Sequence, residues 1–220
     1  MEGIFVNPLI RNTIVTLVLC LSVAISTSGQ SLQSALDDLG YDIDVKSDEI
    51  EGELYFQLQN SSASIIFQES SQAVREAFGW YSPSDTGQWL IGGPDTDLPM
   101  QAFLPQIEGA FGFKFHPNFN GEGFIEGVWY SETSLNADGS DHLMVFPTIY
   151  DGQVVPYSYV LCWEDLEELG DADFQDMVVR VDWVQAVPRT AIPNGAIAGV
   201  VVDDGQPMAG VSVKLYDVEH

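Results

Sequence analysis

The segment Val160–Trp183 (VLCWEDLEELGDADFQDMVVRVDW) constrains the fold more than any other part of the chain. It begins and ends in β-strand patterns. Tyr157, Tyr159, Leu161 and Trp163 alternate with Ser158, Val160, Cys162 and Glu164. Beyond the loop, Met177, Val179, Val181 and Trp183 point one way, and Val178, Arg180 and Asp182 the other. A period of two places successive side chains on opposite faces of a sheet. Between the strands lie seven carboxylates: Glu164, Asp165, Glu167, Glu168, Asp171, Asp173 and Asp176. So many like charges in one short connection repel each other unless something positive sits among them.

Asp171, Asp173 and Asp176 follow a D-x-D-x-x-D spacing, and Glu164 and Asp165 start the same turn. A hard cation bound through several oxygens is the simplest neutralising partner, and calcium suits such a site. The alternative is an exposed acidic turn without metal, and the spacing leaves both open. Asn136, Asp138 and Asp141 form a second set in NADGSDH. It echoes part of an EF-hand loop but lacks the acid at the twelfth position and the flanking helices. It is read either as a plain Asp-Gly turn or as a loop that completes the first site.

Seven basic residues against thirty-three acidic ones give a net charge of −26, which repels nucleic acid and anionic lipid. Residues 1–29 read as a secretory signal. Arg11 precedes an apolar run, Ile14 to Ile25, and small residues suit cleavage near Gly29 or Gln30. The run is short for a transmembrane span, and an uncleaved anchor is the alternative. Leu19 before Cys20 argues against a lipoprotein. Cleavage leaves Cys162 as the remaining cysteine, read as a buried, inert thiol. The expected setting is therefore extracellular or at a cell surface.

In chain order, Ser31 to Leu39 reads as a short helix with Leu32, Ala35, Leu36 and Leu39 on one face and Gly40 as its stop. Leu54, Phe56 and Leu58 suggest a strand, then a turn at Asn60–Ser62, then a second strand Ser64–Phe67. Val74 to Tyr81 is ambiguous, with Gly79 read as a bend. Further strands are expected at Trp89–Ile91, Phe111–Phe115 (Phe111, Phe113 and Phe115 inward), Val128–Tyr130 and Leu143–Phe146. The last is expected to stop at Pro147, with a hairpin turn at Asp151–Gly152. Many short strands between Gly, Pro and Asn turns predict an all-β antiparallel sandwich, jelly-roll-like, with a short N-terminal helix and a partial C-terminal hairpin. The expected division is 1–29 signal, 30–40 helix, 41–185 sandwich, 186–195 linker and 196–220 hairpin.

Four stretches carry a resemblance: FGWY (Phe78–Tyr81), FGFKF (Phe111–Phe115), WYSETSLNADGSDH (Trp129–His142) and WEDLEELGDADFQDMVV (Trp163–Val179). Together they resemble DUF4114, a domain of unknown function in secreted and surface proteins of bacteria. The resemblance covers most of 41–185. It implies a β-sandwich in an extracellular setting and points to cation binding. Residues 196–217 resemble the opening hairpin of a carboxypeptidase-regulatory-like or Cna-B-like module but lack its remaining strands, so a fragment or a shortened gene is expected there.

Catalytic patterns are weak. G-x-S-x-G does not occur, and His116, His142 and His220 have no partner motif. The acids are too many and too local to single out the pair that glycoside hydrolysis needs. Trp80, Tyr81, Trp89, Trp129 and Tyr130 are read as core residues, with stacking on sugar rings as the alternative. The expectation is a calcium-associated structural or adhesive module, not an enzyme. Its rivals are a calcium-dependent glycan-binding module, a hydrolase and a fragment without independent function. A surface glycan or a matrix protein is the expected partner, and no nucleic acid.

Overall fold

A computed structural model describes residues 30–68, 76–82, 86–92, 98–118 and 127–187, and the backbone of 202–203 and 206–207. The expected signal segment, residues 188–195 of the expected linker, most of the C-terminal hairpin, Val74, and the loops holding Asp95, Asp97, Asn120, Gly121 and Gly123 lie outside the described residues. Ala186 and Val187, expected to open the linker, instead belong to the last strand of the sandwich and pair with Tyr55 and Leu54.

The first element is α1 (Leu32–Asp38). Ser31 caps it by accepting from Ser34 N at 3.2 Å, and Gly40 (φ +82°) ends it in the left-handed region. Then follow β1 (Leu54–Gln68), β2 (Ala77–Tyr81), β3 (Trp89–Gly92), β4 (Met100–Phe103), β5 (Ala110–His116), β6 (Trp129–Tyr130), β7 (Leu143–Tyr150), β8 (Gln153–Trp163) and β9 (Met177–Val187). β10 (Val202–Asp203) and β11 (Gln206–Pro207) pair with each other as a two-stranded sheet. Among the described residues, nine strands form one antiparallel network in the order β3-β2-β5-β1-β9-β8-β7, with β4 on β1 and β6 on β5. Among the same residues no helix is long and apolar enough to cross a membrane.

β1 makes this network a sandwich. Its first half pairs with β5 at Tyr55↔Phe111, its second half pairs with β4 at Ser62↔Phe103, and β9 pairs with both halves. The sheet thus folds over on itself. Phe78 and Phe115 on one layer meet Trp163 on the other at ring-centroid distances of 6.4 and 5.8 Å. The core between the layers holds Phe113, Trp129, Val145, Leu161, Val179 and Val181. α1 covers the outer face of β7, β8 and β9, enclosing Leu36, Tyr41, Ile43, Phe146, Val160, Cys162 and Val178 in a second, smaller core. The C-terminal half of β8 is buried on both faces for this reason: Leu161 and Trp163 serve one core, Val160 and Cys162 the other.

Several sequence expectations need correction. Asn60 does not turn the chain back. It adopts φ +62° as a bulge, and β1 runs on as one strand. Tyr55 is the fully buried residue there, while Phe56 is half-buried. Gly79 is not a bend. A Cβ on it would lie 2.3 Å from Gln88 O, so it permits close approach of the β3 side. Pro147 does not end β7, because β7 is the edge of the sheet and a missing N–H costs little there. Trp183 does not continue the inward face. Its φ of +59° inserts a bulge, Val184 takes the core position, and the indole is 43% exposed. β4 carried no recognised sequence signal. The hairpin at Asp151 (φ +49°) and Gly152 (φ +66°) agrees with the expected turn, both residues being left-handed.

Candidate metal centre

β8 and β9 are antiparallel neighbours whose last pair is Trp163↔Met177. Glu164 and Asp176 therefore leave the sheet side by side, and residues 164–176 close over this end. The loop is sharply folded. It contains a 3-10 turn (Glu167–Leu169) and four non-glycine residues at positive φ: Glu168, Leu169, Ala172 and Phe174. Such conformations cost about 1–3 kcal/mol each and persist where surrounding contacts impose them. Gly170 is required by contact, since a Cβ would lie 2.3 Å from Leu166 Cδ1.

The folding turns backbone N–H groups and carboxylates towards one another. The Glu164 side chain is fully buried. Its Oε1 accepts from Leu166 N at 3.2 Å, and its Oε2 accepts from Asp173 N at 3.1 Å and Phe174 N at 3.4 Å. Asp176 Oδ2 accepts from Asp165 N at 2.8 Å. Asp173 accepts from Gln175 twice, from the backbone N at 3.4 Å and from the side-chain Nε2 at 3.0 Å.

All five acids singled out at this turn come together, in two groups that share Glu164. One is Glu164, Asp171 and Asp173; the other is Glu164, Asp165 and Asp176. Within each group, one oxygen per residue lies within 4.8 Å of the others. Asp171 is exposed, Asp173 and Asp176 are half-buried, and Glu164 and Asp165 are buried. This crowding has an electrostatic signature. Burial first, and then the charges of Asp171 and Asp173, push Glu164 up to about 7 against the hydrogen bonds from Leu166 and Phe174. Asp176 is raised far above the carboxylate range by burial and by Asp165, Glu164 and Asp173. Oxygen donors at this density fit a hard divalent cation, whose charge would reverse both shifts.

The second acidic loop meets the first through hydrogen bonds, and its side chains are already engaged. Asn136 Oδ1 accepts from Tyr130 N at 2.7 Å, and its Nδ2 donates to Ser140 O at 2.8 Å. Asp138 accepts from Ser140 N and from Glu168 N, and pairs with His142 Nε2 at 2.9 Å. Burial would raise the Asp138 carboxyl, but these three partners outweigh it and hold it at about 2. Asp141 accepts from Leu143 N. Neither carboxylate group includes Asp138 or Asp141. His142 is fully buried and stacked on Trp129 with ring centroids 3.8 Å apart, and its Nδ1 lies 3.1 Å from Glu164 O. Trp129 Nε1 donates to Asp165 O at 2.9 Å. This end of the sandwich is thus a bracket of aromatic and polar groups on which the acidic loop rests.

Residues 110–184 match the family described as Domain of unknown function (DUF4114). No curated protein and no solved structure matches the chain. The DUF4114 match begins at β5, reaches into β9 and takes in both acidic loops. One residue of this region escaped the sequence reading: Gln175, buried and laid against Asp173. Its only sequence signal is its place between Asp173 and Asp176.

Of the aromatics considered for sugar stacking, Trp80, Tyr81 and Trp129 are buried. Trp89 and Tyr130 are half-buried, Trp89 under the Lys114 ammonium at 4.3 Å and Tyr130 edge-on to Tyr81 at 5.0 Å. Cys162 is a free, fully buried cysteine whose thiol is raised by burial, as expected of an inert core residue.

Proposed function

We propose that this chain carries a calcium-stabilised β-sandwich module with a structural or adhesive role, secreted to or displayed on a bacterial surface. The observation that carries the reading is Glu164, a fully buried carboxylate shared by two groups of acids on one loop. Calcium takes six to eight oxygens at about 2.3–2.6 Å, and carboxylates, amide and backbone carbonyls and water all serve. An ion at this turn neutralises the repulsion and holds the loop that leads into β9, whose register with β1 and β8 organises the sandwich. The net charge of −26 suits a cation-bearing medium. The apolar run at Ile14–Ile25 supports export.

The module is proposed as non-catalytic. His142 is committed to Asp138 and Glu164, and Cys162 is sealed in a core. A surface glycan or matrix protein remains the proposed partner. A glycan site would need a platform other than Trp80, Tyr81 and Trp129, which are packed inside.

The test is the thermal unfolding of the full chain in EDTA and in millimolar calcium. A ligand that binds only the folded state adds about 2.7 kcal/mol at one hundred times its dissociation constant. A clear rise in Tm with calcium is expected, reduced in Asp173→Asn. Identical curves under both conditions overturn the reading.

A further inference from the structure

We infer that the β8–β9 loop binds two adjacent divalent cations, with the Glu164 carboxylate bridging them and the Gln175 side-chain oxygen as an added ligand. The inference rests on the calcium reading above and specifies its stoichiometry and ligands.

Three observations lead to it. The five carboxylates form two groups that share Glu164 and no other residue. Asp171 and Asp173 stand on one side of this partition, Asp165 and Asp176 on the other. A carboxylate has two oxygens, and a shared one can give an oxygen to each of two ions. Adjacent ions in two-metal sites lie about 3.5–4 Å apart, so a single carboxylate spans them.

The second observation is a residue that is not an acid. Gln175 is 2% exposed, and its Nε2 donates to Asp173 Oδ2, which sets the amide against the first group. Its Oε1 is enclosed and has no hydrogen-bond partner among the described residues. Buried amide oxygens ordinarily find a partner, and calcium accepts amide oxygens alongside carboxylates. In the chain Gln175 stands between Asp173 of one group and Asp176 of the other, where a neutral oxygen ligand can serve without adding charge.

The third is charge. Five carboxylates carry five negative charges when ionised. One divalent ion leaves three of them uncompensated in a partly buried loop, and two ions leave one. Uncompensated charge away from water is costly.

Isothermal titration of calcium into the EDTA-treated, dialysed full chain reads the number of ions directly. Two calcium ions per chain are expected. Asp171→Asn/Asp173→Asn and Asp176→Asn should each leave one, and Gln175→Leu should weaken binding about tenfold without unfolding the chain. Circular dichroism of each variant checks the fold, and the wild-type count needs no variant at all. A second readout is the manganese EPR spectrum of the loaded wild type. Two ions bridged by Glu164 couple magnetically and broaden the six-line signal of an isolated ion. One calcium per chain, or two with an uncoupled manganese spectrum, overturns the bridged pair while the calcium reading stands. No binding at all overturns both.

Discussion

Asp138 shows how much one side chain does at this end of the molecule. It holds its own loop through Ser140, orients the buried His142, and reaches across to Glu168 of the acidic loop. Removing an ionised acceptor leaves those donors without their partner, at about 1–3 kcal/mol. Asp138→Ala is therefore expected to lower the urea midpoint at neutral pH with the slope unchanged. The pH dependence has a definite sign. The folded carboxyl is held at about 2, below its ordinary 3.8. Its contribution is thus fully present above about pH 4 and is lost as pH falls towards 2. Melts of wild type and Asp138→Ala between pH 5 and 2 should converge at the acid end. A gap that stays constant would assign the effect to packing. Glu164 is the opposite case: a carboxylate whose surroundings oppose its charge. In the same molecule the donors around Asp138 outweigh its burial, while burial and neighbouring acids outweigh the donors around Glu164, and the second arrangement is the one a bound cation would favour.

At the scale of elements, the strands are held by side-chain alternation and adjusted by bulges. β2 and β3 approach so closely at Gly79 that any Cβ would collide with the backbone of Gln88. Gly79→Ala must push β3 off β2 and disturb the Trp80 N to Gln88 O bond of 3.0 Å. A loss of about 1–3 kcal/mol is expected from such overpacking, read as a lower midpoint in denaturant. An unchanged midpoint would mean that β3 yields freely. β9 offers the contrast. Trp183 sits at φ +59°, a region that costs little only for glycine. Trp183→Gly is therefore expected to leave stability within about 1 kcal/mol of wild type, although a tryptophan is removed. Leu161→Ala, in the core, should cost about 2–5 kcal/mol. The local alternation of β8 and β9 is legible because both strands line a core, whereas the Trp183 bulge reverses the pattern for reasons that lie in the paired strand.

For the whole molecule, the arrangement is three layers: α1, the sheet it covers, and the layer folded back upon that sheet. α1 is short, and its buried residues Leu32 and Leu36 share one core cluster with Phe146, Val160 and Val178. Cys162 reports on this seal, being fully buried beneath it. In the native chain it should resist a thiol reagent. Leu36→Asp places a charge in the small core and should make Cys162 react at least tenfold faster while the strands persist by circular dichroism. Rapid labelling of the wild type would show that the helix does not cover the sheet in solution.

The amino-acid sequence by itself determined the all-β character, most strands, the Asp151–Gly152 hairpin, the helix with its Gly40 stop, and the acids that cluster. Each depends on side-chain period, turn chemistry or charge within a few neighbouring residues. Only the tertiary structure decided that β1 is one strand shared by two layers, that Tyr55 is inward and Trp183 outward, and that Pro147 stays within β7. It alone brought Glu164 together with Asp171 and Asp173 in one group and with Asp165 and Asp176 in another, and it alone enclosed Gln175. The reason is physical: those placements depend on which strand lies alongside and where the backbone turns left-handed, and both are set by contacts between residues far apart in the chain.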